Sequence, residues 1–180
     1  MRKANPIALA ALALLLLAQW IPSARAEETS TFPYQEPRPS SAKSGELGLG
    51  LKWGDLTGLT AKYWDSETRA WDFTLAFDNG ATAFGVDYLW HFRSAFSGFA
   101  HADSLVPFAG FGVIGASGPE SRYFNRRTSD FELAARIPGG LEFLPRSVSL
   151  GIFVEAALGF GFTPTNYSFV TADLGARYYF

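Results

Sequence analysis

Apolar and polar residues alternate with a period of two from Gly45 to the end of the chain. Between Trp71 and Asp78, aromatic and aliphatic residues take most of the odd positions, and Asp and Thr take most of the even ones. Strict alternation over short segments is typical of β-strands that have one apolar face. Asn79-Gly80 favours a tight hairpin turn. The pattern predicts eight antiparallel strands, at residues 46–53, 58–65, 70–78, 82–93, 105–115, 130–143, 148–162 and 168–180.

The composition of the two faces indicates which one points inward. The charged residues share their face with glycine, whereas the large aromatic residues occupy the other face. A narrow barrel holds small side chains and paired charges inside, and its aromatic rings then face lipid. A soluble barrel, which is the alternative, would have its apolar face inward and its polar face outward. Residues 105–115 carry no charge, so the pattern does not orient them. Rings predicted to point outward are those of Trp71, Phe73, Phe77, Phe84, Tyr88 and Trp90.

The predicted fold class is therefore all-β, an eight-stranded antiparallel transmembrane β-barrel in the outer membrane. Segments of about ten tilted residues match the thickness of the bilayer core. A closed barrel also pairs every backbone group without water. Membrane lipids are the expected partners. Because the formal net charge is only -2, nucleic acid is not expected as a partner.

The N-terminus predicts export of the chain. Arg2 and Lys3 precede an apolar run from Ile7 to Ala18, and Ala24-Arg25-Ala26 matches a cleavage site. That run is too short to span a bilayer, so a cleaved signal peptide at residues 1–26 is favoured over a membrane anchor. The Pro- and Ser-rich residues 27–44 are expected to form a disordered leader, and the barrel is expected to occupy residues 45–180.

The chain ends in alternating apolar residues and a terminal aromatic residue, from Asp173 to Phe180. This ending is similar to the C-terminal signal of outer-membrane barrels, which implies the barrel assembly machinery as a partner through Phe180. Together with residues 48–64, 136–145 and 150–162, the segment from Gly45 resembles a family of short outer-membrane barrels of unassigned function. That family is known from spirochaetes and other diderm, Gram-negative-type bacteria. The resemblance implies an eight-stranded barrel and supplies no catalytic residues.

Two observations bear on possible chemistry. An outer-membrane enzyme that modifies lipid A is the alternative function, because His91, Ser94 and Asp87 supply suitable residue types. With a periplasmic N-terminus, however, His91 lies at the periplasmic end of its strand. The chain has no Cys, two His and one Met, so no metal or cofactor is expected.

One predicted loop is a candidate surface for an unknown ligand or for lipid phosphates. It spans residues 117–129 and contains Glu120, Arg122, Tyr123, Phe124, Arg126 and Arg127.

The inward charges are interpreted as a structural network that fills the barrel, so a continuous pore is not expected. The predicted function is a structural or surface-interaction role without catalysis. The network comprises Arg136, Glu155, Arg177, Asp173, Asp87, Lys62 and Asp72, with Lys52, Glu132 and Glu142 also on the inward face. If a two-residue turn at Pro145-Arg146 joins the sixth and seventh strands, Arg136 lies opposite Glu155. Glu155 is then expected to lie between Arg136 and Arg177, because buried charges need partners.

Overall fold

The computed structural model describes residues 43–78, 81–96, 104–118, 131–145, 148–163 and 166–180. The predicted signal peptide, residues 27–42 of the leader, the predicted Asn79-Gly80 turn and residues 119–129 of the predicted outer loop lie outside these ranges. Each of the eight predicted strands is present, with its ends shifted by at most a few residues. The strands are β1 Leu47–Gly54, β2 Gly58–Trp64, β3 Arg69–Asp78, β4 Ala81–His91, β5 Leu105–Ser117, β6 Glu132–Phe143, β7 Leu150–Thr163 and β8 Tyr167–Tyr179.

The eight strands form a closed antiparallel barrel in sequence order, so the predicted fold class is confirmed. β8 pairs with β1 and closes the wall, with Leu49 opposite Tyr178. We call the rim where β1 begins and β8 ends the terminal end, and the opposite rim the far end. β8 ends on the side opposite the connection between β3 and β4, as an even strand count requires. No helix long and apolar enough to cross a membrane occurs among the described residues.

The predicted orientation of the two faces is also correct. In β8, Thr171 and Arg177 are buried in the interior, whereas Val170 and Leu174 lie on the exposed outer surface. The six rings predicted to point outward all do so, since the residues that alternate with them are buried. In β5, which the sequence left without an orientation, Phe108 and Ile114 point inward, and Phe111 and Val113 point outward.

Apolar residues close both ends of the interior. At the far end, Leu56 from the β1–β2 turn is fully buried among alanines and Ile114. At the terminal end, Trp64, Leu144 and Tyr179 pack together. Between these two plugs, the inward face is mostly charged, and burying such groups without partners would be costly.

Gly112 of β5 makes room for one of these charges. A Cβ atom at this position would overlap the Asp87 carboxylate and the backbone carbonyl of Val86. The glycine therefore allows the Asp87 side chain on β4 to lie flat against β5. The contact between Asp87 and Arg136 depends on this close approach.

Candidate functional site

The central cluster of the interior joins two cations and two carboxylates from four strands. Lys52 Nζ donates to Glu155 Oε1 at 3.0 Å and to the Thr74 hydroxyl at 3.3 Å. Arg136 donates through Nη2 to the same Glu155 oxygen, and its Nε lies 3.2 Å from Asp87 Oδ1. Lys52, Arg136, Glu155 and Asp87 are all almost completely buried. Glu155 therefore bridges β1 and β6 across the barrel interior.

A second cluster surrounds Arg177 of β8. Its guanidinium donates to the Thr60 hydroxyl, at 2.7 Å from Nη2, and to Asp72 Oδ2. Nη1 lies 3.7 Å from Glu142 Oε1. One face of the guanidinium lies over the Phe153 ring, with its central carbon 3.9 Å from the ring centroid. Stacking on a ring suits the weakly hydrated guanidinium, so Arg177 is held by charge and by packing.

The third cluster lies at the terminal end and is centred on Glu142. Lys62 donates to Glu142 Oε2, and the Tyr179 hydroxyl donates to Glu142 Oε1 at 2.6 Å. His91 Nε2 lies 3.1 Å from Lys62 Nζ and 3.3 Å from Glu142 Oε2. The Trp64 ring covers His91, with 4.4 Å between the ring centroids. Glu142 thus binds three inward groups in a site closed by aromatic rings.

At the far end, two carboxylates hold the β1–β2 turn against β8. Asp173 Oδ1 accepts a hydrogen bond from the Leu56 backbone N–H at 2.7 Å, and Asp55 Oδ2 accepts one from the Ala172 N–H at 2.8 Å. These two bonds fix the turn so that the Leu56 side chain enters the barrel. Glu132, the remaining inward acid of this region, accepts a hydrogen bond from the Tyr167 hydroxyl at 3.3 Å.

The predicted pairing of β6 with β7 is wrong. Arg136 lies opposite Gly159, and Glu155 lies opposite Gly140, because the connection between these strands is longer than two residues. The Arg136 side chain nevertheless reaches Glu155 along the barrel interior. The other predicted partner, Arg177, instead contacts Asp72. Lys52 takes its place beside Glu155.

The seven residues of the predicted network fall into different parts of the interior. Arg136, Glu155 and Asp87 share the central cluster, Arg177 and Asp72 share the second, and Lys62 belongs to the terminal cluster. Asp173 binds the turn instead of a cation side chain. The sequence reasoning missed that Thr60, Tyr179 and His91 complete these clusters. The available signals were that these three residues occupy inward positions of the alternating pattern and lie about as far from a strand end as the charged residues they contact.

The three residues considered for lipid A modification, His91, Ser94 and Asp87, lie in separate places. The carboxylate beside His91 is that of Glu142, whereas Asp87 contacts Arg136. Ser94 follows the end of β4 and is exposed. Within the described ranges, no three His, Cys, Asp or Glu side chains are placed to hold a metal ion.

Comparison with known proteins gives a likeness to a solved structure. No family model matches the chain, and no curated protein matches it. The chain is similar to the crystal structure of the N-terminal β-barrel domain of Pseudomonas aeruginosa OprF. The identity is 18% and the TM-score is 0.49, and the alignment covers 75% of this chain and 96% of that domain.

Proposed function

We propose that this protein spans the outer membrane as a closed barrel and has a structural or surface-interaction role without catalysis. The observation that carries the proposal is the contrast between a lipid-like outer surface and a charged interior in which most cations are paired with acids. The assignment to the family of short spirochaete-type barrels is part of the same proposal, and its support is the sequence resemblance together with the eight-strand count.

The outer surface has the layering expected of a bilayer. Aliphatic residues such as Leu51, Val113 and Val154 form an exposed middle belt. Aromatic residues concentrate near both rims of this belt, as in membrane barrels. Those near the terminal end are Tyr63, Trp71, Tyr88, Trp90, Phe143, Tyr178 and Phe180, and those near the far end are Trp53, Phe77, Phe84, Phe131, Phe160 and Phe162.

Ring contacts join three of the aromatic residues at the terminal end to one another and to Phe111. Tyr88 packs edge-on against Trp71 and Trp90, with centroids 4.8 and 5.0 Å apart, and Trp90 packs on Phe111 at 5.4 Å. The Tyr88 hydroxyl donates to Asp65 in the β2–β3 turn at 3.2 Å. An apolar ring with its hydroxyl directed toward a polar turn suits the boundary between lipid and water.

The interior supports a closed barrel and not a channel. The two apolar plugs and the three charged clusters occupy the barrel from one end to the other. Opening a path would separate buried ion pairs such as Lys52 with Glu155, which is strongly unfavourable. We therefore expect no conductance steps from the folded protein in a planar bilayer, and steady channel openings would contradict this part of the proposal.

The proposed orientation places the terminal end in the periplasm, because β1 begins there and β8 ends there with the residues that resemble an assembly signal. His91 and Glu142 are then on the periplasmic side, away from the leaflet that contains lipid A. This placement is why we do not propose the lipid A-modifying alternative. Unchanged lipid A mass spectra after deletion of the gene are expected.

The absence of Cys in the chain permits a direct test of membrane burial. Single cysteines at Val154, in the middle belt, and at Glu67, in an exposed turn, are labelled with an environment-sensitive fluorophore in liposomes. We expect brominated lipids to quench the probe at position 154 and aqueous iodide to quench the probe at position 67. Iodide quenching at both positions would show that the outer surface faces water.

A further inference from the structure

β8 extends beyond β1 at the far end of the barrel. β8 begins at Tyr167, but its pairing with β1 begins only at Asp173, which lies opposite Gly54. Along residues 167–172, β8 therefore has β7 on one side and no paired strand on the other. The short β1–β2 hairpin leaves a notch in the wall at this point.

The hydrogen bonds of β8 show which backbone groups face the notch. Near the terminal end, the Tyr179 N–H bonds toward β7, at Ser149, and the Phe180 N–H bonds toward β1, at Leu47. Backbone groups of alternate residues point to the same side of a strand. Even-numbered residues of β8 therefore face β1, and odd-numbered residues face β7.

Ala172 marks the point where the strand partner ends. Its N–H donates to Asp55 Oδ2 at 2.8 Å, and its carbonyl accepts from the Asp55 N–H at 3.3 Å. Asp55 thus takes the place of one more residue of β1. Beyond it, the N–H and C=O groups of Ser168 and Val170 point into the notch, and no strand or turn residue in the described part of the chain pairs with them.

The physical chemistry of this edge defines what it can bind. Unpaired strand edges are templates for another strand, and proteins usually protect them with Lys, Pro or a covering segment. The edge residues here are Ser168 and Val170, both with exposed side chains. Backbone groups that the described residues leave unpaired are disfavoured in hydrocarbon. Ser168 lies opposite Phe160, one of the aromatic residues near the far end, so in the proposed membrane setting the edge lies at the polar boundary of that end, where a partner can reach it.

We propose that the β8 edge at Ser168 and Val170 binds an extended segment of another polypeptide as an added strand above the β1–β2 hairpin. This inference rests on the proposed membrane function. Main-chain hydrogen bonds supply the affinity in this mode of recognition, and alternate side chains supply the specificity. Outward side chains of the added strand would contact Val170 and Trp53, which are 47% and 46% exposed. An apolar residue at alternate positions is the expected signature, with a cation beside Asp55.

The β8 edge of a second copy does not fit this edge. Two barrels inserted the same way round are related by an axis along the membrane normal, so their β8 strands run in the same direction. The same residues then face each other at the same height, with N–H opposite N–H and C=O opposite C=O. The partner is therefore a different segment, not the β8 edge of a neighbouring copy.

The free edge is tested first by amide hydrogen exchange of the full barrel in detergent, measured by NMR. We expect the amides of Ser168 and Val170 to exchange at least about 100-fold faster than those of Phe169 and Thr171, whose ladder bonds to β7 protect them. Slow exchange at both even positions would show that the chain itself covers the edge, and it would overturn the proposal.

Binding is tested with an acetylated, amidated heptapeptide of alternating threonine and valine that ends in lysine. We expect saturating peptide to slow exchange at Ser168 and Val170 at least about tenfold, with no change at Leu174, which faces β1. A peptide N-methylated at alternate residues is expected to have no effect. Equal effects of both peptides, or no effect of either, would overturn the proposal.

Ser168→Pro provides the matched variant, since it removes an N–H group that no barrel hydrogen bond uses. We expect this variant to keep its heat-modifiable migration on gels and to lose peptide protection at Val170. Ser168→Thr should behave as the wild type. Protection that survives in the proline variant would contradict the assigned edge. The exchange pattern is measured in detergent, so it is independent of the liposome labelling that tests the membrane function.

Discussion

Lys52 on β1 and Glu155 on β7 meet inside the barrel, in front of β8, although 103 residues separate them in the sequence. The ammonium of Lys52 and the carboxylate of Glu155 are 3.0 Å apart, and their side chains are 0% and 1% exposed. The same carboxylate binds Arg136. One acid on β7 thus binds cations from β6 on one side of it and from β1, beyond β8, on the other, which makes it the central connection of the interior.

Replacement of Glu155 by glutamine should therefore destabilise the barrel strongly. The change leaves Lys52 and Arg136 close together without their shared carboxylate, and breaking a buried pair in this way costs about 3–5 kcal/mol. The measurement is the unfolding midpoint in urea with liposome-embedded protein. Glu67→Gln, at an exposed turn, is the matched control and should change the midpoint far less, since interactions of exposed charges contribute about 0–1 kcal/mol. Equal midpoints for the two variants would show that the central cluster does not support the fold.

A different result is expected when both partners of an ion pair are replaced together. Lys62→Met alone leaves Glu142 with only His91, Tyr179 and the more distant Arg177, so it should lower the free energy of unfolding. Lys62→Met combined with Glu142→Leu removes both charges, and such apolar replacements are often neutral or stabilising. We expect the double variant to be more stable than Lys62→Met. A double variant less stable than either single one would mean that the pair contributes net stability.

The sequence predicts the strands and their faces because alternation is a local property. Each inward charge on β3 and β8 could be assigned from its immediate neighbours, since a shift of one residue would place every ring inside the barrel. β5 could not be oriented because glycine, alanine and apolar residues alternate there without any charge. Its faces are fixed by its neighbours, as Gly112 against Asp87 shows.

The partners of the charges could not be predicted in the same way. They depend on the height of each residue along the barrel axis, which the stagger of all eight strands determines. The connection between β6 and β7 shows the problem, because Leu144 turns into the terminal end instead of joining a tight turn. The residue opposite Arg136 on β7 is therefore Gly159 and not the predicted Glu155. Long side chains then reach acids on strands that are not paired with their own, as Lys52 reaches Glu155 and Arg136 reaches Asp87.

The depth of the outer belt gives a third prediction. Val154 lies in the middle of the exposed aliphatic surface, and an arginine there should cost about 2–4 kcal/mol of folding free energy in lipid. Ser168, at the far rim, is the matched position, where the cost should be about 0–1 kcal/mol. Both values come from unfolding titrations in liposomes. Equal costs at the two positions would argue against a bilayer around the belt.

The close approach of β4 and β5 gives the last prediction. It compares Gly112 of β5, which lies opposite Asp87, with Gly85 of β4, which lies opposite Ile114. A Cβ atom at Gly112 would overlap the Asp87 carboxylate and the Val86 carbonyl, so Gly112→Ala must displace either the backbone or the acid that binds Arg136. A Cβ atom at Gly85 would meet only Ile114 side-chain atoms, at 3.6 Å or more, which is ordinary packing distance. Overpacking typically costs about 1–3 kcal/mol, so Gly112→Ala should lower the unfolding midpoint clearly. Gly85→Ala should leave the midpoint nearly unchanged, or raise it slightly through the smaller entropy of the unfolded chain. A wild-type midpoint for Gly112→Ala would show that Asp87 does not lie against β5 and that the central cluster is arranged differently.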